Sequence, residues 1–139
     1  MTHKLYLGLG SNLGNREENL RRALALIDER VGSIYRVSSS METEPVGFSS
    51  TNKFINLVCL VHTMMSPMAC LRETQKIEEE LGRTKKSTCA DGILQHFDRT
   101  IDIDLLTYDD ITISTPELTL PHPRMKERDF VTIPLNEIL

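Results

Sequence analysis

Tryptophan is missing from this 139-residue chain and aromatic residues make up only 5% of it, too few for the stacking surfaces on which single-stranded nucleic acids are usually read. The surplus of charge is small and acidic, a formal −4, which argues against a protein that must neutralise many nucleic-acid phosphates. Cysteine is scarce and odd in number. Cys59, Cys70 and Cys89 never form the Cys-x-x-Cys pairs that hold zinc or run redox exchange, so free thiols are expected, Cys59 and Cys70 acting as small buried hydrophobes. Long hydrophobic runs are also absent: the stretch from Ile55 to Val61 contains Asn56 and is too short to cross a bilayer. The opening Met1-Thr2-His3-Lys4 leads into an apolar segment broken by Gly8 and Gly10, without the pattern of a secretory signal. A cytoplasmic protein without nucleic-acid or membrane partners is the expectation. No repeat, low-complexity tract or linker divides the chain, and 40% hydrophobic with 26% charged residues is ordinary for a globule. Residues 1–139 therefore read as a single domain around one core.

What is present is a clear alternation of periods. Lys4 to Gly10 places Leu5, Leu7 and Leu9 on one side and Tyr6, Gly8 and Gly10 on the other, a strand with one nearly bare face. Asn15 can cap a helix running to about Val31, with Glu17 and Glu18 at its positive end and Leu20, Ala23, Leu24 and Ile27 at helical spacing, until Gly32 ends it. A strand is predicted over Ser33 to Glu42, a loop with Pro45 and Gly47 over Thr43 to Asn52, and a second strand over Phe54 to Met64. Ser66-Pro67 pairs a cap with proline at the first helical position, opening a helix that Gly82 stops. A polar loop reaches Asp98, a strand follows from about Thr100 to Tyr108, and Asp109-Asp110 separates it from Ile111 to Ile113 as a small C-terminal hairpin. Pro116, Pro121, Pro123 and Pro134 argue against long helices in the tail, which is expected to wrap the same core. The order is β-α-β-β-α-β, an α+β fold of the ferredoxin-like kind: an antiparallel sheet with its helices on one face, plus the hairpin and a Pro-rich tail.

The chemistry concentrates in Arg99-Thr100-Ile101-Asp102-Ile103-Asp104. Two carboxylates two residues apart in a strand face the same side, roughly 7 Å from each other, and aspartate packs poorly in strands. A shared divalent cation would remove their repulsion, and magnesium favours one or two carboxylates together with phosphates and water. Gly82-Arg83-Thr84-Lys85-Lys86 adds a basic cluster at the start of a long loop, and Arg99 closes that loop. Cations of this kind can cover a polyphosphate. His122, between Pro121 and Pro123, stands in a rigid turn where it can donate a hydrogen bond or protonate a leaving oxygen, and Lys126 and Arg128 extend the positive surface. Gln75 and Glu78 share a helix face. The run Gly8-Leu9-Gly10-Ser11-Asn12-Leu13-Gly14 matches no phosphate-loop spacing, leaving open a tight turn or close approach of a flat ligand to bare backbone.

Taken together, Gly10-Ser11-Asn12, the Arg99-Thr100-x-Asp102-x-Asp104 signature and Leu120-Pro121-His122-Pro123 resemble, in order and spacing, the hydroxymethyl-dihydropterin pyrophosphokinases of folate biosynthesis. The resemblance covers nearly the whole chain. It implies transfer of a pyrophosphoryl unit from ATP to the pterin hydroxymethyl oxygen, releasing AMP, with Asp102 and Asp104 holding two magnesium ions. It further implies Arg83 and Arg99 as catalytic phosphate clamps and Gln75, Glu78, Lys85, Thr119, His122 and Arg128 around ATP. Thr43, Val46, Phe54, Asn56 and Phe130 would form the pterin pocket, where an aromatic face suits a flat ring and an amide suits its hydrogen-bonding edge. Both substrates are small molecules, and no obligatory protein partner is implied. Three features depart from some relatives: no tryptophan stands in the long loop, where Phe97 is the substitute, Pro123 occupies a tyrosine position, and Lys85 occupies an arginine position. Two rivals share the element order, an RNA-recognition module, disfavoured by the few aromatics, and a non-catalytic ligand sensor, which leaves the acidic pair beside Arg99 unexplained.

Overall fold

The computed structural model describes residues 2–43, 53–82, 89–90, 93–94 and 100–139. β1 (His3–Ser11) buries Leu5, Leu7 and Leu9 almost completely, each worth about 2 kcal/mol of transfer free energy. α1 (Arg16–Arg30) starts where the Asn15 side chain accepts the Glu18 N–H at 3.1 Å. β2 (Ser33–Val37), β3 (Met41–Thr43) and β4 (Phe54–Thr63) follow, and α2 (Pro67–Glu80) opens with the Ser66 hydroxyl accepting the Ala69 N–H at 3.2 Å. β5 (Cys89–Ala90) and β6 (Ile93–Leu94) pair with each other. β7 (Asp102–Tyr108), β8 (Ile113–Ser114), β9 (Thr119–Leu120), a 3-10 turn (Met125–Glu127) and α3 (Asp129–Ile138) complete the described chain.

The main sheet is antiparallel with strand order β2-β4-β1-β7, β3 pairing with the first residues of β4. Its two faces carry separate apolar clusters. On one, Leu5, Leu7, Leu9, Leu57, Cys59, Val61, Ile103 and Leu105 meet α1 and α2 through Leu20, Ala23, Ile27, Cys70 and Ile77. Cys59 and Cys70 are free and buried, and burial pushes the Cys59 thiol up to about 12, so it stays protonated as a hydrophobe. On the opposite face Val58, Leu60 and Leu106 pack against Met125, Val131 and Ile138.

Three expectations change. The helices do not all lie on one face: α3 covers the other one, because an apolar set on the even positions of β4 needs its own cover. Pro134 lies inside α3, and although it removes one helical hydrogen bond, that helix is held by burial of Val131, Pro134 and Ile138, by Arg36 donating to the Ile138 carbonyl, and by the Glu137 carboxylate accepting from Ser39. The edge strand predicted over Ser33 to Glu42 is two strands, since Ser38 accepts the Val58 N–H with its hydroxyl in place of its carbonyl. The small hairpin forms between β8 and β9, not between β7 and the segment after Asp110.

Candidate active site

Register builds the site. Asp102 of β7 stands opposite Gly10 of β1, which stands opposite Asn56 of β4, which stands opposite Met41 of β3. Asp104 stands opposite Gly8 in the neighbouring row. With strands about 4.8 Å apart, the Asp102 and Asn56 backbones are separated by only about 10 Å. Period two sends all these side chains to the α3 side, away from Leu9, Leu57 and Ile103.

The two strand glycines explain how close packing is reached. A Cβ on Gly10 would meet Asn56 Oδ1 at 2.8 Å and Phe54 Cδ1 at 3.4 Å, whereas one on Gly8 would meet Leu106 at an ordinary 3.5 Å. The bare backbone is therefore covered by side chains from the flanking strands; neither glycine forms a turn, and the turn conformation belongs to Gly14, with φ of 73°. Asn19 closes that turn by donating to the Leu13 carbonyl at 2.9 Å.

Beside this row an open cleft of about 550 Å³ is lined by Met41 and Thr43 on one wall and by Arg124, Glu127, Arg128, Asp129 and Phe130 on the other. Asn56 is buried and its amide donates to Thr43 Oγ1 at 2.8 Å, which orients the pair at the edge of the cleft. Arg128 joins the two regions: its Nη1 lies 3.9 Å from Asp104 Oδ2, and its guanidinium lies 5.5 Å from the Phe130 ring centre. Half-buried His122 is held by donating its N–H to the Leu106 carbonyl, while its Nδ1 accepts the Arg124 N–H at 3.2 Å. Burial first, then the Arg128 charge, lower its pKa, against an opposing pull from Asp102. The imidazole is thus neutral near pH 7, and with Nδ1 used as acceptor its proton is placed on Nε2 as a donor.

Asp102 and Asp104 offer oxygen ligands only, on one face and next to a cation, a set suited to a hard divalent ion that keeps waters and takes phosphate oxygens. Among the described residues no three His, Cys, Asp or Glu side chains group as a complete metal cage.

A family model for 7,8-dihydro-6-hydroxymethylpterin-pyrophosphokinase matches residues 6–139. The chain belongs to this family. A curated relative from Porphyromonas gingivalis, named 2-amino-4-hydroxy-6-hydroxymethyldihydropteridine pyrophosphokinase, is 46% identical over 96% of this chain and 89% of its own length. The Bacillus subtilis protein of the same name is 41% identical over 99% and 79%. The fold agrees with the crystal structure of Plasmodium falciparum HPPK-DHPS with pterin and p-hydroxybenzoate, at a TM-score of 0.78 and 19% identity over 99% of this chain. This chain spans 40% of that longer one.

Within this pyrophosphokinase frame, the structure brings together Asp102, Asp104, His122, Arg128, Phe130, Thr43, Phe54 and Asn56 on one side of the sheet. Gln75 and Glu78 are on α2, which packs on the other side. Buried Glu78 accepts the Ile103 N–H at 2.7 Å, so the observed contact supports the strand between the two aspartates. Thr119 is exposed on the β8–β9 hairpin. Arg83, Lys85, Arg99, Val46 and Phe97 lie outside the described residues. Sequence reasoning missed Met41, Arg124, Glu127 and Asp129 as cleft walls; the charges crowded into residues 124–129 were the available signal.

Proposed function

We propose that the chain uses the cleft and the acidic pair to carry out the family's reaction. It is an ATP-dependent diphosphotransferase: the hydroxymethyl oxygen of 6-hydroxymethyl-7,8-dihydropterin attacks the β-phosphorus of ATP, the bond from that phosphorus to the α-phosphate oxygen breaks, AMP leaves and the hydroxyl proton is lost to solvent, giving the pterin diphosphate used in folate synthesis. The observation that supports this assignment of parts is strand register: Asp102 stands opposite Gly10 and Gly10 opposite Asn56, with Asp104 opposite Gly8 in the next row, so both carboxylates and the Asn56 amide lie on one face of the sheet.

Asp102 and Asp104 would hold magnesium, as two ions in our reading. When bound, magnesium supplies charge neutralisation on the phosphates and lowers the proton affinity of the attacking hydroxyl. The chain's own groups do the rest. Asn56 and Thr43 fix the edge of the pterin and Phe54 and Phe130 supply apolar faces. Arg128 adds positive charge between pterin and phosphates, and His122 Nε2–H donates to a phosphate oxygen. Positioning and electrostatic stabilisation carry such transfers, because little covalent chemistry is asked of the protein.

To these we add Arg83, Lys85 and Arg99 as phosphate clamps, Val46 as a pocket residue, and Gln75, Glu78 and Thr119 toward the nucleotide, Glu78 acting through the strand it holds. The same reading takes residues 1–139 as one domain with a ferredoxin-like core, working in the cytoplasm without nucleic acid, membrane or obligatory protein partner; no helix among the described residues is long and apolar enough to cross a membrane. Incubation with ATP, magnesium and the reduced hydroxymethylpterin should yield AMP and the pterin diphosphate. Asp102→Ala and Asp104→Ala should each lower turnover by about a thousandfold or more with thermal stability retained. ADP as the nucleotide product would refute the reaction, and wild-type turnover in both variants would refute the metal assignment.

A further inference from the structure

Arg16 has no part in the reaction as described, and a cation at the first position of a helix has the wrong sign for the helix dipole. Its contacts explain its presence. Nη1 donates to Glu42 Oε2 at 2.8 Å and to the Lys53 carbonyl at 2.8 Å. Glu42 precedes Thr43 and Lys53 precedes Phe54, and Thr43 stands opposite Phe54 at the end of the β3–β4 ladder. One nitrogen therefore ties the two strand ends together at the edge of the cleft.

That ladder is only three residues long on the β3 side, and so short a pairing has few main-chain hydrogen bonds to keep its register. Slippage there would move Thr43 away from the Asn56 amide it accepts from. The brace is anchored on a rigid part, since Arg16 directly follows the Asn15 cap and the turn that Asn19 closes. The Arg16 and Glu42 side chains are 31% and 49% exposed, so the ion pair adds little to global stability; its effect is local to the pocket wall.

We propose that Arg16 is a positioning residue for pterin binding, holding Thr43 and Phe54 in register through the residues that precede them. The inference rests on the reading of Thr43, Phe54 and Asn56 as pterin pocket, and the test separates the two. Pterin affinity is measured by calorimetry with magnesium and a nonhydrolysable ATP analogue at saturation, beside the affinity for the analogue alone, pterin KM, kcat and the melting temperature. Arg16→Met should weaken pterin binding about tenfold, raise KM more than it lowers kcat, and leave analogue affinity and melting temperature near wild type. Arg16→Lys should recover much of the loss, because both bonds come from a single nitrogen, and Arg16→Glu combined with Glu42→Arg should recover part. Asn56→Ala is the control for the pocket. Normal pterin binding by Asn56→Ala overturns the pocket reading and the proposal with it. Loss in Asn56→Ala but not in Arg16→Met overturns the brace alone, as does a parallel fall of pterin affinity, analogue affinity and melting temperature in Arg16→Met.

Discussion

Adding one methyl group at Gly10 should weaken substrate binding more than it weakens the fold. Its Cβ would lie 2.8 Å from Asn56 Oδ1, about 0.5 Å inside ordinary contact, and the atom it meets is the end of a side chain, so the amide yields and the strand does not. Yielding has a consequence, because that amide donates to Thr43 Oγ1 at 2.8 Å and is buried. Weakening one buried hydrogen bond and repacking its site costs about 1–2 kcal/mol of stability. An amide turned away from the pterin edge costs about 1.5–3 kcal/mol of binding, roughly a ten- to hundredfold rise in pterin KM. Gly8→Ala is the matched comparison: its Cβ meets Leu106 at an ordinary 3.5 Å, and lower unfolded-chain entropy offsets any crowding, so its stability should stay within about 0.5 kcal/mol of wild type or rise. The assays are urea melts of both variants and steady-state kinetics of Gly10→Ala at saturating ATP. A Gly10→Ala enzyme with wild-type pterin KM, or a Gly8→Ala variant destabilised as much as Gly10→Ala, would refute the packing account of these glycines.

Among the described glycines, Gly32→Ala should be the most disruptive change for the fold, since its Cβ would lie 2.3 Å from the His62 carbonyl oxygen and 2.8 Å from Thr63 Cα; main-chain atoms cannot step aside, and a loss of about 3 kcal/mol, roughly 10 °C in melting temperature, is expected by calorimetry. The Asp109 carboxylate accepts the Lys4 N–H at 2.7 Å and contacts His3 Nδ1 at 2.6 Å, and these bonds, the main-chain one first, hold its pKa below the usual 3.8. Its stabilisation is therefore fully present above that unfolded value and is lost as pH falls through the lower folded one. Asp109→Asn should be less stable at neutral pH and show a shallower acid-side decline in urea melts; an unchanged decline would remove Asp109 from the acid response.

Local chemistry decided a great deal in advance. Alternating leucines in β1, the Asn15 and Ser66 caps, and a strand carrying Asp102 and Asp104 on one side all depend on residues within a few positions of each other, where periodicity and capping act. Family motifs at three places in the chain pointed to the family as well. What the sequence could not display is which distant segment covers which surface. The second apolar face was visible as Val58, Leu60 and Leu106, but its cover is a helix containing proline, fastened by contacts such as Arg36 to the Ile138 carbonyl across 102 positions. Glu78 read as a polar helix residue until tertiary packing set its carboxylate on the Ile103 N–H. Arg16, Glu42 and Lys53 carry no joint signal along the chain, and the sequence left Gly10 open between a tight turn and a bare face for a flat ligand until register placed Asn56 over it. Secondary structure and reactive groups follow from short-range forces that a linear string records; the pocket follows from long-range burial and strand register, which only the folded chain fixes.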